Sequence, residues 1–236
     1  ETGGWSLEMI DCRYPFYTDG NWEASSSGTG GTPGKINSLA RGNPDPSFYG
    51  IGNVFPSDSV TINVTFSETV FNIAGSGEKI LIGDKAVSSV SSSDPLLRTF
   101  VVKSPLSLVK GEVYSMNISS DVTDFAGNSI SRASFKFGLP EKAGRDDIVF
   151  NELLFNPFRD EPDYIELYNN SDKVADASQL YLASINTDSG DTSEIKTLSD
   201  EHRCIVPGAF FTVTSDRGRV IERYPTSDPE SIFNAP

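Results

Sequence analysis

The chain has 236 residues, with 33 acidic against 19 basic side chains and a formal net charge of −14. A chain of this length holds one large or two ordinary domains, each able to bury a core. The negative charge would repel a phosphate backbone, which argues against nucleic acid as a partner. No apolar run approaches the ~20 residues of a membrane helix, so we expect no membrane span. The 20 glycines and 14 prolines, with many Ser, Thr, Val and Phe, favour strands and turns.

Residues 1–43 begin with an alternating segment and continue as a loop-rich tract. Trp5, Leu7 and Met9 alternate with polar residues, as expected for one face of a strand. The tract then runs through 21–25 (NWEAS) and 30–38 (GGTPGKINS). This order resembles the closing part of bacterial lamin-tail domains, where G-W-S-L-E leads to N-W-x-x-S and then to G-x-T-P-G-x-x-N-S. The resemblance implies that the chain opens on the end of such a domain.

Residues 44–142 have the size and strand spacing of an Ig-like sandwich. Alternating or apolar segments occur at 60–66, 100–103, 113–118 and 133–137. The motifs VTFSETV (64–70), LVKGEVY (108–114) and DFAGN (124–128) are similar to those of the bacterial Ig-like domain found in S-layer and other envelope proteins. A short linker, 143–146, follows.

Residues 147–236 open with IVFNELLFNPFRDEPDYIELYNN (148–170), two strand patterns joined by a turn that contains Pro and Asp. Further strands are predicted at 180–184 and 206–214. A short helix is predicted over 216–223, capped by Ser215 and ended by Tyr224 and Pro225. The segment resembles the opening and middle of a lamin-tail domain, which is itself an Ig-like β-sandwich.

The sequence therefore predicts an all-β chain of tandem Ig-like β-sandwiches. Since 1–43 resembles a closing part and 147–236 an opening part, neither should close a core alone. We expect the strand of Trp5 to Met9 to dock on 147–236, within the chain or from a neighbouring molecule, in a head-to-tail or strand-swapped self-association. The alternative is that each end belongs to a different domain of a longer array.

Candidate catalytic groups are few. Glu152 and Glu166 lie in neighbouring strands and could act as a glycosidase acid and nucleophile. In the lamin-tail pattern, however, these positions recur without catalysis. The single histidine, His202, lies near Asp200 and Cys204, and no G-x-S-x-G nucleophile turn occurs. We therefore expect no catalytic residues and no cofactor.

Two clusters have the oxygen ligands that calcium prefers. Asp188 and Asp191 flank Gly190, and Asp121 and Asp124 precede Asn128. The alternative for each is an Asx-rich turn without a metal. The spacing of Cys12 and Cys204 does not match a zinc site, which leaves either two free thiols or a disulfide.

The motifs favour a non-enzymatic surface or secreted module for adhesion, spacing or ligand display, at a bacterial outer surface or outside the cell. Its partner would be a protein or glycan that the sequence does not name. An alternative is the accessory region of a larger secreted hydrolase or nuclease. In a carbohydrate-binding version of that alternative, exposed aromatic side chains would form the binding surface: Tyr14, Phe16, Tyr17 and Trp22.

Overall fold

A computed structural model describes residues 4–17, 20–159, 161–225 and 228–234, with the backbone alone at Glu194. These residues form nineteen β-strands and one short α-helix. The chain is all-β, as its composition predicts. No helix in the described part of the chain is long and apolar enough to cross a membrane.

The first segment contains β1 (Leu7–Met9) and β2 (Trp22–Ala24), which pair in antiparallel register. Leu7 lies opposite Ala24, and Met9 lies opposite Trp22. Docking of this strand on 147–236 within the chain was therefore the wrong prediction. A partner only thirteen residues after β1 closes a short loop, and short loops cost little chain entropy.

Nine strands form the second unit. They are β3 (Phe48–Pro56), β4 (Thr61–Phe66), β5 (Ile80–Ile82), β6 (Lys85–Ala86), β7 (Ser89–Ser92), β8 (Thr99–Lys103), β9 (Tyr114–Ile118), β10 (Ile130–Arg132) and β11 (Ser134–Phe137). One sheet has the order β10-β3-β4-β8-β7 and the other β11-β9-β5-β6. All pairs are antiparallel except β10 with β3.

Alternation along the strands explains the core of this unit. In β4 the side chains of Ile62, Val64 and Phe66 are fully buried, while the intervening residues are half-buried. Their partners on β8 include Phe100 and Val102, which are also fully buried. On the other sheet, Ile80 and Ile82 of β5 and Met116 of β9 belong to the same buried cluster. Apolar faces of both sheets thus meet in one core, the arrangement of a β-sandwich.

Eight strands and the helix form the third unit. They are β12 (Ile148–Leu154), β13 (Tyr164–Asn169), β14 (Ala175–Asp176), β15 (Tyr181–Ile185), β16 (Thr192–Thr197), β17 (Cys204–Ile205), β18 (Phe210–Thr214), α1 (Arg217–Arg223) and β19 (Ile232–Asn234). The main sheet has the order β12-β13-β18-β19, and β14-β17 and β15-β16 form separate two-stranded sheets. The cap of α1 is Asp216 and not Ser215, because the Asp216 carboxylate accepts the Arg219 N–H.

The second and third units pack against each other. Asn53 Nδ2 donates to the His202 carbonyl at 2.8 Å, and the Phe55 ring stacks on the His202 ring at 4.8 Å. Arg132 pairs with Asp228 at 3.0 Å. The backbones of the two units approach each other closely at Gly138, because a Cβ there would lie 2.8 Å from a methyl carbon of Val174. The two cores therefore lie side by side.

Candidate functional site

The β1–β2 hairpin exposes its apolar side and buries one acidic side chain, Glu8, on the other. Cross-strand pairing places Leu7, Met9 and Trp22 on one face, and the alternation before β1 adds Trp5. We call these four residues the hairpin face. Leu7 is 70% exposed and Trp5 52%. On the opposite side Glu8 is only 4% exposed. This reverses the usual arrangement of a strand that covers a core.

Hydroxyl groups surround the buried Glu8 carboxylate. Ser25 Oγ donates to it at 2.8 Å, and Thr32 and Ser38 donate at 2.7 Å each. Burial opposes ionisation of Glu8, but these hydrogen bonds outweigh it and lower its pKa to about 2. Glu8 thus ties β1 to the loops that follow β2.

The main sheet of the third unit is uncovered at one edge. Phe150 pairs with Leu167, which pairs with Phe211, so the three share a face. Leu167 and Phe211 are buried in the core. Phe150 is nevertheless 62% exposed, and Leu153 on the same face is 54% exposed. We call Phe150 and Leu153 the sheet opening, because here the core side of the sheet faces solvent.

A bulge places both residues of the sheet opening on one face. The register of β12 on β13 shifts between Phe150 and Glu152. Without that shift, residues 150 and 153 would point to opposite sides of the sheet. The sequence pattern predicts the strand but not the bulge.

Three carboxylates converge where the first segment meets the second unit. Asp45, Glu68 and Asp124 have oxygen atoms within 4.8 Å of one another. Asn128 donates to Asp124 through its backbone and through Nδ2, at 2.8 Å in both cases. Burial, together with the charge of Asp124, raises the pKa of Asp45. Such a group can share protons or provide oxygen ligands to a hard cation.

The sequence located only one member of this cluster. Asp124 belongs to it, but Asp121 instead forms an ion pair with Lys79 at 3.1 Å. Asp45 and Glu68 were not predicted as members, because they are 79 and 56 residues from Asp124 in sequence. Glu68 lies just after β4, and Asp45 lies three residues before β3. Neither position carries a local sequence signal that the two carboxylates would meet.

The other calcium candidate lies in the turn between β15 and β16. Asp188 and Asp191 are both exposed. Asn186 Oδ1 accepts the backbone N–H groups of Asp188 and Ser189. These bonds are those of an Asx turn, which is the alternative that the sequence left open. Calcium at Asp188 and Asp191 stays a prediction.

Glu152 and Glu166 lie directly opposite each other on β12 and β13, as the strand pattern predicts. Tyr164 donates its hydroxyl to Glu152 at 2.6 Å, and Asn151 Nδ2 donates to Glu166 at 2.6 Å. Burial, followed by the bond to Glu152, raises the pKa of Tyr164. Each carboxylate thus accepts a hydrogen bond from a neighbouring side chain of the same sheet.

His202 lies beside a serine and an aspartate, but not in the order of a catalytic triad. Ser178 Oγ and Asp176 Oδ2 lie 2.9 and 2.7 Å from the same ring nitrogen, Nδ1. In a triad the serine and the carboxylate use opposite nitrogens of the ring. The Ser178 proton therefore has no path through the imidazole to Asp176. The arrangement fixes the loop that carries His202 against Phe55.

Both cysteines are free thiols, so the structure does not contain the disulfide that the sequence allowed. Cys12 is exposed in the first segment, whereas Cys204 lies between the second and third units. Burial raises the pKa of Cys204 to about 12, and its Sγ points to the Gly138 carbonyl at 3.4 Å. Cys204 is thus a packing residue of the interface.

The four aromatic residues proposed for glycan binding differ in their surroundings. Phe16 packs edge-on against Phe125 at 4.9 Å and against Phe71 at 5.6 Å. It joins the first segment to the second unit and is not available as a stacking platform. Tyr14 and Tyr17 are half-buried, and Trp22 is exposed on the hairpin face.

Comparison with known proteins gives no assignment by sequence, since no protein-family model and no curated protein matches the chain. Two solved structures are similar in part. The N-terminal part of the bacterial S-layer protein SbsC is 17% identical with a TM-score of 0.34, over 67% of this chain and 44% of that chain. The S-layer protein fragment rSbsC(31-844) is 14% identical with a TM-score of 0.33, over 70% of this chain and 32% of that chain. The chain thus spans less than half of either structure.

Proposed function

We propose that the chain is a non-enzymatic module of a secreted or surface-exposed bacterial protein, and that it works as a spacer for adhesion or ligand display. The observation that carries this proposal is the side-by-side packing of two separate β cores. Contacts at Asn53, Phe55, Arg132 and Gly138 hold the second and third units in one orientation. Two units held in one orientation keep a fixed distance between the segments on either side of them, which is what a spacer requires.

The motif resemblance supports the surface location, because VTFSETV, LVKGEVY and DFAGN are similar to motifs of the Ig-like domain of envelope proteins. The carboxylates of Glu152 and Glu166 and the ring of His202 hold strands and loops together. None of these groups forms a nucleophile, base and orienting group around one point. We therefore favour an adhesive role over a catalytic role for these residues.

Two measurements test the proposal. Labelling of intact source cells with a membrane-impermeant biotin reagent should modify the native protein, while a cytoplasmic marker stays unlabelled. A screen of the purified chain against glycoside, peptide, ester and nucleic-acid substrates should give no turnover. Turnover that is lost in Glu152→Gln, Glu166→Gln or His202→Ala would contradict the non-enzymatic assignment, and an unlabelled protein would contradict the surface location.

A further inference from the structure

The chain contains three Asp–Pro bonds, which follow Asp45, Asp94 and Asp228. Such a bond is more acid-labile than other peptide bonds, because its nitrogen belongs to a tertiary amide and the aspartate carboxyl can reach its own carbonyl carbon. We infer that the bond between Asp45 and Pro46 cleaves itself, with the Asp45 carboxylate as nucleophile and Glu68 as proton donor. The reaction would separate the first segment from the second unit. It is a single turnover within one molecule, so it goes beyond the proposed function and leaves the non-enzymatic assignment in place.

The Asp45 carboxyl is turned toward the bond that it would attack. The Ser47 N–H donates to Asp45 Oδ1 at 3.4 Å, which is the hydrogen bond of an Asx turn. This bond holds the carboxyl near the backbone that follows Asp45. Asp45 itself is only 8% exposed, whereas Pro46 and Ser47 are exposed. The nucleophile is therefore held inside the protein, while the Pro46 side of the bond is open to water.

Asn128 polarises the carbonyl group that is attacked. Its Nδ2 donates to the Asp45 carbonyl oxygen at 3.2 Å. Asp124 holds Asn128 in place, because it accepts the Asn128 backbone N–H and Nδ2 at 2.8 Å each. A donor that is fixed on a carbonyl oxygen stabilises the negative charge that develops there during attack. Asn128 thus supplies one hydrogen bond to the developing oxyanion.

The carboxyls around Asp45 hold a proton where the reaction needs it. Glu68 faces Asp45 from the turn after β4, and Asp124 faces it from the loop before β10, with oxygen atoms within 4.8 Å of one another. The Glu68 carboxyl donates a hydrogen bond to the Asp45 carboxyl. A carboxyl donates only when it is protonated, so this pair contains one acid and one acceptor. Burial, together with the charge of Asp124, raises the pKa of Asp45 and helps the pair to retain its proton.

The reaction balances with water as its co-reactant. An Asp45 carboxylate oxygen forms a bond to the Asp45 carbonyl carbon, and the bond from that carbon to the Pro46 nitrogen breaks. Glu68 gives its proton to the leaving nitrogen, which becomes a secondary amine. The other product is a cyclic anhydride of Asp45. Water then opens the anhydride, which leaves two carboxyl groups on Asp45 and returns a proton to Glu68.

The other two Asp–Pro bonds are controls within the same chain. The Asp94 carboxylate accepts three backbone N–H groups. Burial opposes ionisation of Asp94, but these hydrogen bonds outweigh it and lower its pKa. The Asp228 carboxylate pairs with the Arg132 guanidinium at 3.0 Å. Among the described residues, neither aspartate belongs to a group of three close carboxylates. A proton for the leaving nitrogen must therefore come from solvent at both bonds.

Mass spectrometry of the native full chain tests the inference. The chain is incubated with chelator and protease inhibitors at about pH 5, above the ordinary pKa of an aspartate. It is denatured only before measurement, because Phe16 would otherwise hold the pieces together. Fragments that end at Asp45 and begin at Pro46 should accumulate at a rate that is independent of protein concentration. The bonds after Asp94 and Asp228 should cleave at least about tenfold more slowly.

Two variants separate this mechanism from general acid lability. Glu68→Gln keeps the shape of the side chain but has no proton to give, so cleavage after Asp45 should slow at least about tenfold. Pro46→Ala keeps every carboxyl but replaces the tertiary amide, so it should also slow cleavage. Glu78→Gln removes an exposed acid of the second unit and is the matched control. It should cleave like wild type.

Three results would overturn the inference: a native chain that stays intact after Asp45, equal cleavage at all three Asp–Pro bonds, or an unchanged rate in Glu68→Gln. Cleavage after Asp45 that is as fast in denaturant as in the native chain would do so too, because the fold would then contribute nothing. If Glu68→Gln fails to fold by circular dichroism, Pro46→Ala replaces it, since Pro46 is exposed. Failure of these tests leaves the biotin labelling and the activity screen unaffected.

Discussion

Glu8 shows how one buried acid can hold together a segment whose described residues belong to neither hydrophobic core. Its pKa falls from an ordinary value of 4.5 to about 2, because three hydroxyl hydrogen bonds outweigh its burial. A carboxyl whose pKa is lowered in the folded state stabilises that state above its unfolded pKa. The stabilisation is lost as the pH falls from 4.5 towards about 2.

We therefore expect the first segment to unfold locally in that pH range. NMR amide signals of residues 4–17 and 20–43 should move to random-coil positions between pH 4.5 and 2, at a higher pH than those of the second unit. Glu8→Gln should show the same loss at neutral pH, because a glutamine offers one acceptor to three hydroxyl donors. Glu23→Gln is the control, since Glu23 lies opposite Glu8 on β2 and is exposed. Equal effects of the two variants would contradict the role of Glu8.

The pKa of Asp45 shifts in the opposite direction to that of Glu8. Burial and the neighbouring Asp124 raise its pKa, so the folded state favours its protonated form. Its contribution to stability is complete below its unfolded pKa and is lost as the pH rises through the folded value. Above that folded value Asp45 no longer contributes this stability to the second unit.

Asp45→Asn should accordingly raise the melting temperature at pH 7 in a buffer with chelator, and should have less effect at pH 4. Calcium tests the expectation that Asp124 is a ligand, because an ion that binds only the folded state raises the melting temperature with its concentration. Such a rise in wild type should be weaker in Asp45→Asn. A wild-type melting curve that is the same with and without calcium would remove that expectation for this cluster.

At the scale of elements, strands were predictable where alternation is regular. The pattern at 60–66 corresponds to β4, and the pattern at 148–170 corresponds to β12 and β13. The bulge at 150–152 and the parallel pair of β10 with β3 were not predictable, because both depend on contacts between distant residues. The sheet opening depends on that bulge, so it was not predictable from the sequence either.

Gly50 makes the parallel pair possible. It has a φ of +111°, and a Cβ there would lie 2.4 Å from Ile130 Cγ1 and 2.6 Å from the Arg132 carbonyl oxygen. Gly50→Ala should destabilise the second unit by about 3 kcal/mol, from backbone strain and from displacement of β10. Gly52→Ala is the control on the same strand, because the nearest atom to its Cβ would be at 3.5 Å. Similar denaturation midpoints for the two variants would refute this account.

For the whole molecule, motif resemblance predicted three segments of β structure, and the described sheets each lie within one of them. The division into domains itself stays a prediction. The packing of the third unit on the second was not predictable. Its contacts at Asn53, Phe55 and His202 join residues that are far apart in sequence and belong to no repeating hydrophobic pattern. The same limit applies to the cluster of Asp45, Glu68 and Asp124.

The interface should couple the unfolding of the second and third units. Among the described residues, the connected core of the second unit contains twenty buried hydrophobic side chains, and that of the third unit contains eight. The third unit is therefore the weaker one and depends more on its neighbour. The Phe55–His202 stack contributes about 1 kcal/mol, and the partly exposed Arg132–Asp228 pair contributes up to about 1 kcal/mol.

Phe55→Ala combined with Arg132→Ala should therefore separate one calorimetric transition into two, with the lower one belonging to the third unit. Cys204 gives an independent measure, because its thiol is covered by the Gly138 carbonyl and by the second unit. Its reaction with a thiol reagent should become faster in the double variant, while the exposed Cys12 should react at an unchanged rate. Val60→Ala, on an exposed part of the second unit, is the control. A single transition and a slow Cys204 in the double variant would show that these contacts do not hold the units together.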